Sequence, residues 1–189
     1  MGEPAEEIGV SFREFWEYEG LPETRYELFS GEIVAMNQPS LRHGALQGSL
    51  IGELMRTLEG RCQVLGPVGV YCEATGDAFG PDVIVLCEPA IYDKEIGRAL
   101  TNPSAIFEIL SPGTSKIDTH EKLPAYKAIP SLREYVLVSQ RKRLIQLHRR
   151  TSSGWISEQY SSGALRICDG EITVEAIYER VDTSALLPR

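Results

Sequence analysis

The chain has 189 residues, 42% hydrophobic and 24% charged, a balance that excludes disorder and allows one domain with a sizeable core. No apolar run nears the roughly 20 residues a bilayer-crossing helix needs, and Glu3, Glu6 and Glu7 replace a basic, apolar leader, so a cytoplasmic protein without a membrane partner is expected. A formal net charge of −8 argues against gripping nucleic acid over a broad basic surface, though a local cluster remains compatible with DNA.

Ser11 and Glu14 have the spacing of a capping box, which predicts a short helix over 11–19 carrying Phe12, Phe15 and Trp16 and ended by Gly20, Leu21 and Pro22. "RYELFSGEIVAM" reads as two short strands around a Ser30-Gly31 turn. From Leu41 to Glu59, Leu46, Leu50, Leu54 and Leu58 recur every fourth position, which predicts an amphipathic helix stopped at Gly60. "CQVLGPVGVYCEA" follows as two short strands or one interrupted strand, and Gly76 to Gly80 as a loop into the apolar strand "PDVIVLCEP".

Residues 90–103 read as a variable connection, in part helical, before the apolar strand Ala105 to Leu110. A helix is expected from about Asp118 to Ala128, stopping near Pro130, and then the strands "REYVLVS", "RLIQLHRR" and "GWISEQYS". The tail from Leu165 through "GEITVEAIYERV" has strand-like alternation. The basic residues Arg141, Lys142, Arg143, Arg149 and Arg150 read as a solvated hairpin with charged strand ends rather than a phosphate track. The expected fold is α/β (α+β mixed): a mixed sheet flanked by helices, with extra antiparallel strands. A single domain over 1–189 is expected, with a core at about 25–150, the helix 11–19 and strands at 155–180 as additions. Cys62, Cys72, Cys87 and Cys168 show no CxxC pairing, which argues against zinc and predicts reduced thiols acting as small hydrophobes.

Glu108 interrupts a strand that is otherwise apolar, and a carboxylate there costs several kcal/mol unless something pairs it. Asp82 opens another apolar strand, and neighbouring strands would bring the two carboxylates to one point. Asp118, Lys122 and Tyr126, at i, i+4 and i+8, share one helix face. Two carboxylates suit Mg²⁺, with Mn²⁺ as its substitute, and a lysine beside them suits charge building on a phosphate. That is the chemistry of metal-assisted phosphodiester hydrolysis. Taken singly, Asp82 is also a turn or cap residue, Lys122 a surface lysine and His43 an exposed helix-start residue.

"RYELFSGEIVAM", His43, "PDVIVL", "FEILSPGTSKIDTHEKLPAYK" and "REYVLV" together resemble the Uma-type "putative restriction endonuclease" family, formerly a domain of unknown function. The resemblance spans roughly residues 11 to 160 and implies a PD-(D/E)XK nuclease-like fold, a restriction-endonuclease-like core. It implies Asp82 and Glu108 as metal ligands, Lys122 and Glu32 as further catalytic residues, DNA as substrate and a homodimer. The usual nuclease lysine lies two residues after the strand carboxylate, where this chain has Leu110; Lys122 fits a variant in which the lysine has moved to the following helix. Glu27 rivals Glu32 as the upstream carboxylate, and His43, Asp118 and Tyr126 are accessory candidates. The family's strand Glu-Tyr-Trp-x-Val-Asp appears here as Glu134-Tyr135-Val136-Leu137-Val138-Ser139, without the tryptophan and aspartate. A catalytically silent interaction protein, which the acidic charge favours, and a hydrolase of a smaller phosphate ester, which needs no long basic track, are the alternatives.

Overall fold

Ser11 caps α1 (Phe12–Trp16): its hydroxyl accepts from Glu14 N, while the Glu14 carboxylate accepts from Ser11 N at 2.8 Å. The structure, a computed structural model, describes residues 9–111, 121–179 and 181. Phe12 is buried against Leu28, Ala78 and Ala99, so the aromatic helix covers the chain's own core. The hairpin of β1 (Tyr26–Phe29) and β2 (Glu32–Ala35) turns at Ser30 and Gly31, both at positive φ (50° and 76°), as a two-residue primed turn demands.

Ser40 caps α2 (Leu41–Thr57) by accepting from His43 N, and Leu46, Leu50 and Leu54 are fully buried on its inner face. Gly66 and Pro67 divide the next apolar stretch into β3 (Gln63–Leu65) and β4 (Val70–Cys72), which enter different sheets. The loop expected from Gly76 to Gly80 instead contains β5 (Asp77–Phe79), because β1 and β4 supply ladder partners on both sides. β6 (Val83–Leu86) and β7 (Ala105–Leu110) pair antiparallel.

The connection between β6 and β7 shows no helix among its residues; it is organised around buried Asp93. One Asp93 oxygen accepts from the backbone N–H of Glu95, Ile96 and Gly97, the other from Arg98 and Ala99. Local side-chain-to-backbone bonding has displaced helical bonding here.

β7 and β8 (Glu134–Ser139) pair parallel, and the connection between them carries α3 (Lys122–Ala128). The first residues of the helix expected from Asp118, with Asp118 itself, lie outside the described residues. β9 (Ile145–Thr151) and β10 (Gly154–Tyr160) continue antiparallel, giving a mixed six-stranded sheet in the order β10-β9-β8-β7-β6-β3. A four-stranded sheet, β2-β1-β5-β4, and a β11 (Ala164–Ile167) to β12 (Gly170–Thr173) hairpin complete the strands among the described residues.

The alternation expected to continue past Thr173 gives way to α4 (Val174–Tyr178), capped by the Thr173 hydroxyl. Val174, Ile177 and Tyr178 fall at i, i+3 and i+4 and are buried, so helical spacing wins over a period of two. The two faces of the large sheet carry separate cores. Val83, Val85, Phe107 and Ile109 face the α2 leucines and α4. Ile84, Ile106 and Leu137 face Ala125 and Tyr126 of α3, together with Val70 and Phe79. Glu108 shares a face with Ile106, two residues away, and therefore points toward α3.

Two expectations fail against this packing. Arg149 and Arg150 are not a solvated strand end. Arg149 bonds Glu134 at 3.1 Å, while Arg150 donates to the Lys127, Ile129 and Leu132 carbonyls and stacks over Trp155. The cysteines are not all reduced either: Cys62 and Cys87 are disulfide-bonded, while Cys72 and Cys168 are free. Gln63 pairs with Leu86, and one further step of that antiparallel register sets Cys62 opposite Cys87.

Candidate active site

Val83 pairs with Phe107, and one step outward along that register Asp82 meets Glu108. The main chain reinforces the meeting, since Ile109 N donates to Asp82 Oδ2 at 2.7 Å. Asp82, Glu108, Glu27 and Lys122 all line one cavity of about 500 Å³. The two strand residues expected to converge thus sit at neighbouring positions of adjacent strands and line the same cavity.

Lys122 enters from the first turn of α3 and is buried, with its Nζ 2.9 Å from Glu27 and 3.2 Å from Glu108 Oε1. The Tyr126 hydroxyl, one turn along, donates to the same Glu108 oxygen at 3.0 Å. Burial foremost, and then the Glu108 charge, hold the Tyr126 phenol well above its usual pKa, so it stays a donor. Glu27 also accepts from Gly80 N at 3.0 Å, and the Phe79 ring stands 5.3 Å from Nζ. The buried ammonium thus lies among carboxylates that are themselves hydrogen-bonded, which a buried charge requires.

The upstream carboxylate at this cluster is Glu27, not Glu32. β1 is an interior strand of its sheet, next to β5, so Glu27 faces Gly80 and Lys122. Glu32 sits beside the hairpin turn on the edge strand β2 and is exposed.

His43 departs furthest from the sequence reading. It is buried rather than exposed, and its Nε2 lies 2.8 Å from Asp82 Oδ1. A carboxylate only accepts, so Nε2 carries the proton and Nδ1 is left to accept from Gln140 Nε2 at 3.4 Å. Ser40 Oγ completes the chain by donating to Gln140 Oε1 at 3.0 Å. Gln47 Nε2 donates to the Asp82 carbonyl at 2.8 Å. Gln140 and Gln47 gave no signal in the sequence beyond being polar residues next to apolar runs.

The donors are all oxygen and suit a hard cation such as Mg²⁺. Both Asp82 carboxylate oxygens already accept a hydrogen bond, and each keeps a lone pair for a cation. Among the described residues, Glu27, Asp82 and Glu108 do not close into a three-ligand group. The set therefore fits a cation held by Asp82 and Glu108 and completed by water and substrate oxygens, a normal arrangement for Mg²⁺. Around this polar floor the cavity walls are apolar, with Phe15, Trp16, Met36 and Val68, and the exposed guanidinium of Arg25. No helix among the described residues is long and apolar enough to cross a membrane.

Comparison with known proteins gives this site a family context. Residues 12–173 match a family model described as "Uma2: Putative restriction endonuclease". Two similar proteins come from Synechocystis sp., both described as uncharacterized. The protein slr1290 is 28% identical over 156 residues, covering 81% of each chain. The protein sll1609 is 30% identical over 116 residues, covering 60% of this chain and 66% of that one. A crystal structure described as a putative nuclease belonging to DUF820 from Anabaena variabilis superposes with a TM-score of 0.73 at 16% identity. It covers 90% of this chain and 98% of that one, and shares its fold.

Proposed function

From the premise that this chain belongs to the Uma2 "putative restriction endonuclease" family, we propose that it hydrolyses phosphodiester bonds in DNA with Mg²⁺, Mn²⁺ serving as a substitute. The observation that carries the reading is the meeting of Asp82 and Glu108 across β6 and β7, with Lys122 bonded to Glu108 in the same cavity. Asp82 and Glu108 hold the cation, which when bound acidifies a water and offsets phosphate charge.

The chain's own groups do the positioning. His43 and Ile109 N fix the Asp82 carboxylate from two sides. Tyr126 fixes Glu108, and Glu27 fixes Lys122. Lys122 sets its ammonium beside Glu108, where charge grows on the phosphoryl oxygens. Action as a cytoplasmic homodimer belongs to the same proposal, since duplex cleavage needs two cuts. A smaller phosphate ester is the second reading; the apolar walls of the cavity and the net charge of −8 favour it over a duplex.

The test is cleavage of plasmid, single-stranded oligonucleotide and a chromogenic phosphodiester, with Mg²⁺ or Mn²⁺ and with chelator. Metal-dependent cutting of DNA, absent in Asp82→Ala and Glu108→Ala, supports the nuclease reading. Turnover of the small ester alone supports the second, and no turnover of any substrate overturns both.

A further inference from the structure

A different cluster occupies the other end of β6 from Asp82. Cys87 follows that strand and Cys62 precedes β3, the two held face to face by the strand register. Cys168 reaches them from the turn of the β11–β12 hairpin, and the three Sγ atoms lie within 4.8 Å of one another. Cys168 adopts φ 50°, an uncommon conformation for a residue with a side chain. Its sulfur lies 3.8 Å from Glu134 Oε2, and Arg149 stands 3.1 Å from the other Glu134 oxygen. All three cysteines are partly buried at the margin of the α2 core. Packing alone asks for small apolar side chains there; it does not ask for three sulfurs from three separate segments with a carboxylate beside them.

We propose that, once the Cys62–Cys87 disulfide is opened, Cys62, Cys87 and Cys168 bind one thiophilic divalent cation of the Zn²⁺ class. A dithiol reductant supplies two electrons and two protons. The Cys62–Cys87 bond breaks to two thiols, and the reductant leaves as its own disulfide. Binding then displaces the thiol protons, so three thiolates meet one dication, and the Arg149 guanidinium next to Glu134 lies close to the surplus negative charge. Metal–sulfur bonds of about 2.3 Å in tetrahedral geometry set sulfurs roughly 3.8 Å apart, inside the 4.8 Å limit within which the three sulfurs already lie. The fourth position falls to Glu134 or water. Disulfide and metal are alternative states of one cluster, and the proposal stands apart from the phosphodiester reading, whose oxygen donors suit a different class of cation.

The experiment uses the full chain, reduced with dithiothreitol and desalted without air, and titrates it with Cd²⁺ as a spectroscopic stand-in for Zn²⁺. Thiolate-to-metal absorption in the ultraviolet reports sulfur ligation, and carboxylates do not produce it. The expected result is absorption saturating at one equivalent, reversed by Zn²⁺, untouched by excess Mg²⁺ and absent from the oxidised protein. Cys168→Ser should weaken binding by more than the roughly 10–100-fold that loss of an outer-shell partner costs. Cys72→Ser, a buried thiol outside the cluster, should leave it unchanged. Zn²⁺ should also raise the melting temperature of reduced wild type and not that of Cys168→Ser. No saturable absorption in the reduced wild type, or equal binding by Cys168→Ser, overturns the proposal.

Discussion

His43 Nε2 lies 2.8 Å from Asp82 Oδ1, although the two residues are 39 apart in the chain. The imidazole orients the carboxylate and is itself held by Gln140. His43→Ala should therefore reduce Mg²⁺ affinity by about 10–100-fold, the usual cost of losing a partner behind a metal ligand. His43→Gln, which can still donate to Asp82, should recover part of it. Calorimetric titration of the two variants measures the difference, and a merely structural role would leave their affinities equal.

Lys122 is buried between Glu27 and Glu108, and removing the cation leaves buried carboxylates uncompensated. Lys122→Met should cost about 3–5 kcal/mol of stability. Adding Glu27→Gln should restore part of that loss, because one of the opposing charges goes as well. Denaturant unfolding at neutral pH reads both values.

Asp93 makes a pH-dependent contribution away from the site. Burial opposes its ionisation, but backbone N–H donors from Ile96, Ala99, Arg98 and Gly97 outweigh that and bring it down to about 2. Its folded value lies below the unfolded one of 3.8, so the contribution is present above the unfolded value and lost as pH falls toward 2. The difference corresponds to about 2 kcal/mol. Asp93→Ala should destabilise by at least about that amount at pH 7 and by progressively less below pH ~4, as followed by thermal melts across pH.

The Cys62–Cys87 bond closes a separation of 25 residues. By loop-closure entropy it stabilises the chain by about 3 kcal/mol. Reduction without added metal should lower the urea midpoint accordingly, and Cys62→Ser should melt at the same temperature whether or not reductant is present.

How much of this was legible in the sequence depends on where each partner lies. Glu108 announced itself because a carboxylate inside an apolar strand demands a partner, and Lys122 and Tyr126 because helical spacing puts them on one face. Asp82 was legible as the start of a second apolar strand. His43 was legible only as an accessory candidate and on its own read as an exposed helix start, since its burial depends on Asp82 arriving from another element. Glu27 and Glu32 alternate alike along one hairpin, and only the neighbouring β5 decides which strand is interior. β5 itself is three residues long and exists through its partners, and the disulfide depends on the register of β3 against β6. α4 was misread locally: Val174, Ile177 and Tyr178 carried its spacing, and the strand alternation before them masked it.

The most direct measurement is Mg²⁺ titration calorimetry on wild type, Asp82→Ala and Glu108→Ala, each first shown to be folded by circular dichroism. The account predicts saturable binding by the wild type and none by either variant. Binding that survives unchanged in Asp82→Ala, or a wild type that takes up no Mg²⁺ at millimolar concentration, would contradict it.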